Sequence, residues 1–163
     1  MKEGDQIKLG DVAADVYFVP GHTSGHIAYH FASANALFSG DTIFSMGCGR
    51  LFEGTAEQMW QSLSQLMALP ENTLIHGAHE YTTANGEFAL TLEPKNAALI
   101  DRMKTVKNLR ANDKPTVPTT LGLEKKTNPF LRPMSSELQD TIGMAGQPLP
   151  AVFAKTRQMK DNF

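Results

Sequence analysis

Pro20-Gly21-His22-Thr23-Ser24-Gly25-His26, followed after two short apolar runs by Ser39-Gly40-Asp41-Thr42, is the stretch from which the fold is read. Between these ends lie Ile27-Ala28-Tyr29-His30-Phe31, a small polar turn and Ala36-Leu37-Phe38. The order is loop, strand, turn, strand, loop. A histidine leaves one strand end and an aspartate another, each beside a glycine that lets the backbone bend sharply. Strand-end loops are where side chains converge on a site held by a rigid scaffold. An imidazole and a carboxylate presented in this way suit a divalent metal such as zinc.

Working outward, Ile7 and Leu9 form one short alternating run, and Val16, Phe18 and Val19 form a second after Gly10-Asp11. Beyond Asp41 comes Ile43-Phe44, then the glycine-rich Ser45–Phe52 loop with Arg50 in it. Thr55 and Gln58 make a Thr-x-x-Gln capping box, and Met59, Leu63, Leu66 and Met67 place an apolar face on the helix it starts. Pro70 ends that helix. Thr73-Leu74-Ile75 is a short strand whose end carries Gly77-Ala78-His79-Glu80-Tyr81. The next helix covers Thr82 to Leu92, with Asn85-Gly86 as a weak spot. Pro94 opens a longer one with Leu99, Met103 and Val106 on one face and lysines or arginines on the other. Lys114 to Pro133 reads as loop because of its four prolines, and two short helices follow near Ser135–Met144 and Pro150–Asn162. A strand-rich half followed by a helical half gives an α/β unit over residues 1–93 and a helical unit over 94–163.

The chain has 163 residues, 41% hydrophobic and 20% charged, in the range of one domain with a small appendage. No apolar run approaches the ~20 residues a membrane span needs. Met1-Lys2-Glu3-Gly4-Asp5 lacks the apolar core of a secretory signal, and the single cysteine, Cys48, excludes a disulfide framework. These features point to the cytoplasm. The net charge of −2 hides an asymmetry: residues 1–94 carry 3 basic against 11 acidic side chains, and residues 95–132 carry 9 against 3. Nucleic acid would be one reason for a basic segment, but aromatic residues are not interleaved with the charges. Steering of an anionic small molecule is the better reading.

His22, Asp41 and His79 leave three strand ends and are the candidate metal ligands. Singly, each could be a surface or capping residue, and Gly40-Asp41-Thr42 could be a plain turn. His26 is expected to cap or orient the loop of His22, His30 to be a core or surface residue, His76 to be exposed or packed, and Cys48 to be a small packed residue. Asp15, Glu53 and Glu80 are read as solvated or capping.

Gly21-His22-Thr23-x-Gly25-His26, Gly40-Asp41-Thr42, Gly47-Cys48-Gly49-Arg50-Leu51-Phe52-Glu53-Gly54-Thr55 and His79-Glu80-Tyr81-Thr82 resemble the metallo-β-lactamase superfamily. Within it the chain is similar to glyoxalase II, the hydroxyacylglutathione hydrolases. Glu93-Pro94, Pro115–Leu121, Asn128–Arg132 and the ending Arg157-x-x-Lys160-Asp161-x-Phe163 continue the resemblance over nearly the whole chain. It implies the C-terminal half of an αββα sandwich followed by a small helical substrate-binding domain. It also implies two divalent metals, zinc with iron or manganese as alternatives, with His22 on one, His79 on the other and Asp41 bridging. The activity implied is cleavage of S-D-lactoylglutathione to glutathione and D-lactate by a metal-bound hydroxide. Arg50, Phe52 (where the family often has tyrosine), Tyr81, Arg157 and Lys160 would contact the glutathione thioester.

The family's Thr-His-x-His-x-Asp-His signature, which supplies four further ligands, has no counterpart among these residues. The chain is therefore expected to hold an incomplete ligand set and to leave apolar sheet surface uncovered, open to self-association or a partner chain. Three readings follow. The chain represents glyoxalase II; or it is a non-catalytic binder of glutathione conjugates or of a partner; or it is another thioesterase or a sulfur dioxygenase of the superfamily.

Overall fold

Four strands run as an antiparallel meander: β1 (Gln6–Leu9), β2 (Val12–Phe18), β3 (Ile27–Phe31) and β4 (Ala36–Gly40). The computed structural model describes residues 1–163. After β4, a two-stranded hairpin of β5 (Ile43–Phe44) and β6 (Gly47–Cys48) stands off the main sheet. Helix α1 (Ala56–Met67) then crosses over to β7 (Leu74–Gly77), which pairs parallel with β4. Helices α2 (Thr82–Leu92) and α3 (Ala97–Ala111) lead to an edge strand, β8 (Thr119–Thr120), antiparallel to β7. The main sheet has the order β1-β2-β3-β4-β7-β8. Helices α4 (Leu121–Thr127), α5 (Ser136–Thr141) and α6 (Leu149–Asp161) complete the chain.

The capping box at the start of α1 forms in both directions: Gln58 N donates to Thr55 Oγ1 at 3.2 Å, and Thr55 N donates to Gln58 Oε1 at 2.9 Å. The apolar face read from the sequence is buried, with Met59, Leu63 and Leu66 against Ala28, Leu37 and Ile75 of the sheet. That cluster continues without a break into Phe88, Phe130, Val152 and Phe153, so it draws on both sides of residue 93. The register puts Val12, Phe18, Phe38 and Leu74 on the opposite face. There Phe38 is 47% exposed, packed only edgewise on Phe31 and flat on His76. This is the uncovered apolar surface expected from the sequence. No helix is long and apolar enough to cross a membrane.

Several local expectations need correction. The longer helix begins at Ala97, not Pro94, because Asn96 caps it by accepting from Leu99 N at 3.2 Å. Residues 114–133 are not a loop. The prolines flank β8 and α4 rather than interrupt them, and Thr120 caps α4 by accepting from Leu123 N. Asn85 and Gly86 are no weak spot either. Both are buried, Asn85 Nδ2 donates to Ser45 O at 3.1 Å, and a side chain on Gly86 would collide with Met103, so the glycine lets α2 and α3 touch.

The face of α3 assigned to solvent is also half wrong. Arg102 stands three residues after Leu99 and four before Val106, on the same side of the helix, and is buried with them. Its guanidinium donates to Ser45 Oγ (2.9 Å), Thr119 Oγ1 (2.8 Å), Thr127 Oγ1 and Glu124, whose side chain is fully buried. Glu124 in turn accepts from Met46 N (2.8 Å) and Asn128 Nδ2 (3.0 Å). Asn128 also donates to the carbonyls of Phe44 (3.2 Å) and Gly47 (3.0 Å). The β5–β6 hairpin is thereby clamped from behind by α3 and α4. Glu124→Ala strands the buried guanidinium, and urea unfolding should show a loss of about 3–5 kcal/mol. A loss below ~1 kcal/mol, the range of an exposed pair, would show that the network does not hold the hairpin.

Candidate active site

The parallel pairing of β4 with β7 aligns Gly40 with Gly77, so the two strands end side by side. Asp41 and His79 leave from these neighbouring ends, and His79 Nε2 lies 3.3 Å from Asp41 Oδ1. His22, on the loop between β2 and β3, approaches from the other side with Nε2 3.8 Å from Asp41 Oδ2. Each carboxylate oxygen thus faces one imidazole. His22 Nδ1 lies 2.8 Å from Arg50 O. A carbonyl can only accept, so Nδ1 is the donor and Nε2 is the nitrogen turned toward Asp41. A metal-ligating histidine is oriented in this way by a backbone carbonyl.

His26 stands edge-on to His22, with ring centres 5.9 Å apart, and also holds the backbone of Asp41. Its Nε2 accepts from Asp41 N at 3.0 Å, and Gly40, with φ at +53°, turns the chain so that this bond forms. A β-carbon on Gly40 would sit 2.7 Å from His26 Nε2, so the turn needs glycine twice over. His30 is buried in the sheet, where desolvation pushes its pKa down, and His76 stacks on Phe38. Neither reaches the site. Glu53 accepts from Ser24 N at 2.6 Å, and this bond holds its carboxyl below the usual range while fixing the loop that carries His22.

The donors are of the right kind for a metal but are too few. No three His, Cys, Asp or Glu side chains gather around one point. Each metal position would receive one imidazole nitrogen and one oxygen of Asp41, whereas a catalytic zinc takes three protein ligands and keeps a fourth place open. These residues do not by themselves fit the metal centre that the resemblance implies.

Around them the cavity, about 650 Å³ in volume, is walled by aromatic rings. Phe52 lies 4.9 Å from the His22 ring, Tyr81 stacks on His79 at 4.9 Å, and Phe44 stands edge-on to both His79 and Tyr81. Arg50, Arg157 and Lys160 line the same cavity. All eight residues singled out from the sequence therefore meet in one place. Arg157 and Lys160 each have partners within the chain, however. Arg157 is only 5% exposed, lies 4.8 Å from the Phe130 ring centre, donates from Nη1 to Cys48 O (2.9 Å) and pairs from Nη2 with Asp161 Oδ1 (2.9 Å). Lys160 donates to Ala84 O at 3.0 Å and packs over Phe88 and Phe163. Burial, with Arg157 nearby, pushes its pKa down. Asp161 and Phe44 are lining residues that the sequence reading missed. Only the i, i+4 spacing of Arg157 and Asp161 carried a signal.

Two outcomes follow. In His26→Phe the Asp41 amide loses its acceptor at a cost of about 1–3 kcal/mol, and hydrogen exchange at that amide should accelerate while exchange in the α1 core stays unchanged. No acceleration would mean that another group holds Asp41. Burial pushes the Cys48 thiol up to about 11, against the smaller opposing pull of Arg157. Since the thiolate is the reacting form, iodoacetamide at pH 8 should leave Cys48 unmodified until denaturant is added. Prompt labelling of the folded chain would contradict its burial.

Comparison with known proteins identifies the family. The family described as "Hydroxyacylglutathione hydrolase C-terminus" matches residues 80–163, and the "Metallo-beta-lactamase superfamily" matches residues 1–79. The hydroxyacylglutathione hydrolase of Methylococcus capsulatus is 53% identical over 163 residues, 100% of this chain and 64% of that protein. The enzyme of the same name from Rhodospirillum rubrum is 55% identical over 161 residues, 99% of this chain and 63% of that protein. The chain thus spans less than two thirds of the length of these relatives. In the crystal structure of ETHE1 from Myxococcus xanthus, the match covers 98% of this chain and 58% of that one, with a TM-score of 0.57 at 23% identity, a likeness of fold alone. With both parts of the sequence matched end to end, the chain belongs to the hydroxyacylglutathione hydrolase family of the metallo-β-lactamase superfamily.

Proposed function

We propose that this chain carries the ligand-binding cavity and part of the metal-ligand set of a hydroxyacylglutathione hydrolase, a thioester hydrolase acting on S-D-lactoylglutathione. The observation that carries the reading is the single cavity that gathers His22, Asp41 and His79 with Arg50, Phe52, Tyr81, Arg157 and Lys160. The reaction adds water across the C–S bond, giving a carboxylic acid and the glutathione thiol. Residues 1–93 contribute the metal donors and the aromatic wall, and residues 94–163 contribute the cations Arg157 and Lys160.

Membership of the metallo-β-lactamase superfamily implies divalent metals, which there supply an activated water and polarise the carbonyl. Zinc, with iron or manganese as alternatives, suits the imidazole and carboxylate donors. The donor count of this chain does not complete such a centre, so its own residues act in binding and orientation. Phe52 and Tyr81 offer ring faces to the thioester arm. The cations receive the carboxylates of a glutathione moiety, charge-assisted contacts stronger than neutral ones. Phe52 packs without the hydroxyl that a tyrosine would add there.

A second reading is favoured by the same shortfall in donors: the chain binds glutathione conjugates without turning them over, or does so until a partner chain or a second copy covers the Phe18, Phe38 and Leu74 face. A superfamily thioesterase of other specificity, or a sulfur dioxygenase, has less support, since the family match extends through the Arg157 to Asp161 ending.

One preparation decides among these. Metal content per chain is measured together with S-D-lactoylglutathione hydrolysis, S-methylglutathione binding and mass in solution. Metal with turnover supports the hydrolase. Little metal, no turnover and retained binding supports the second reading, and a dimeric mass locates it at the exposed face. Failure to bind S-methylglutathione overturns both. Within either, Lys160→Ala should weaken S-methylglutathione binding about tenfold, the ~1.4 kcal/mol of one charge-assisted contact.

A further inference from the structure

Two arginine–carboxylate pairs in this chain differ in a way that bears on the cavity. Arg132 meets Glu93 as a complete fork: Nε donates to Oε2 at 2.7 Å and Nη2 to Oε1 at 2.8 Å. Arg157 meets Asp161 through Nη2 alone, at 2.9 Å, and its Nε is buried with no partner. The same edge of the guanidinium makes two hydrogen bonds in one pair and only a close ion contact from Nη2 in the other. The reason is the tether. Asp161 lies four residues beyond Arg157 on α6, so its carboxylate can reach the end of the guanidinium but makes no bond to Nε.

We propose that Asp161 is a built-in stand-in for a ligand carboxylate, holding the Arg157 seat in the empty cavity and thereby deciding which anions can take it. The inference rests on the reading that this end of the cavity receives a carboxylate of the ligand. A carboxylate that is not tied to α6 can accept from Nε and Nη2 together, the planar two-bond geometry in which arginine binds carboxylates best. Arg157 cannot swing away to meet it, being held by Cys48 O and packed on Phe130. Asp161 can leave, because its side chain is 40% exposed and its second cation, Arg50 Nε, is 3.9 Å away on a side chain that is 67% exposed. Arg50, Arg157 and Lys160 line this corner of the cavity against the one carboxylate of Asp161. The incoming carboxylate must displace Asp161 and then tolerate its charge nearby. A small carboxylate without other contacts gains little from that exchange, whereas a ligand also held at the His22 and Tyr81 end keeps its footing. Asp161 thus selects for length.

The test uses N-acetylglycinate as the bare carboxylate, N-acetylglycinamide as its neutral control, and S-methylglutathione. Binding is followed through the Arg157 Nε–H resonance in the unmodified chain, in Asp161→Asn and in Asp161→Ala. The expected result is a shift of that resonance by N-acetylglycinate but not by the amide, with affinity at least tenfold higher in both variants. Unchanged or weaker binding in the variants, or an Nε–H that does not move, overturns the proposal and leaves Asp161 a structural partner of Arg157. If N-acetylglycinate behaves as expected and S-methylglutathione does not bind, the glutathione reading fails while the role of Asp161 stands. If S-methylglutathione binds while N-acetylglycinate binds all three forms alike, the reading stands and the stand-in fails.

Discussion

A carboxylate sealed from water fixes the geometry of this molecule where its strands meet its helices. Glu124 accepts from the Arg102 guanidinium, the Thr119 hydroxyl, the Met46 amide and the Asn128 side chain. An ionised carboxylate has about four lone-pair sites, and all of them are in use. Taking both charges out of water costs several kcal/mol, so such a pair adds little net stability over an apolar core. What it adds is a set of bonds to Met46 N and the Phe44 and Gly47 carbonyls that tie the β5–β6 hairpin to α3 and α4. Phe44, Cys48, Gly49 and Arg50, in and just after that hairpin, line the cavity.

The donor end of the cavity depends on a second constraint, the parallel pairing of β4 and β7. Parallel neighbours finish at the same edge of a sheet, and ligands gather at that edge in open α/β sheets. Asp41 and His79 therefore meet without any contact between distant loops having to be arranged. His22 has no such help. It is brought in by its loop, with Glu53 holding Ser24 and the Arg50 carbonyl holding Nδ1. Its separation from Asp41 is the longer of the two.

What the sequence disclosed follows from whether a signal was local. The Thr55 capping box, the Met59–Leu63–Leu66 face and the glycine-flanked strand ends each involve residues within a turn or two, and each forms as read. Arg102 and Glu124 were hidden because a charged residue on a helix is normally solvated, and the partners that reverse this come from α3, α4, β8 and the hairpin. Residues 114–133 were hidden by proline, which marks breaks but does not say how much regular structure fits between two of them. The distinction between a free Arg157 and one held by Asp161 could not be read from spacing, since i, i+3 and i, i+4 neighbours share a helix face equally.

The charge asymmetry also changes meaning once the pairs are known. Nine basic residues between 95 and 132 looked like a field for steering anions. Arg102 is consumed by Glu124, Arg132 by Glu93, Arg110 faces Glu80, Lys125 faces Glu71, and Lys104 pairs with its neighbour Asp101. Three of those acids, Glu71, Glu80 and Glu93, belong to the acidic first part of the chain. Three of the nine basic residues thus face acids of the first part, so part of the excess of each sign is a record of the two parts meeting. The cations that face the cavity, Arg50, Arg157 and Lys160, lie outside the basic segment altogether. At physiological salt, exposed charges act over about 8 Å. Among charged side chains, an anion in the cavity meets those three cations together with Asp41 and Asp161, and no lysine of the basic segment lines it.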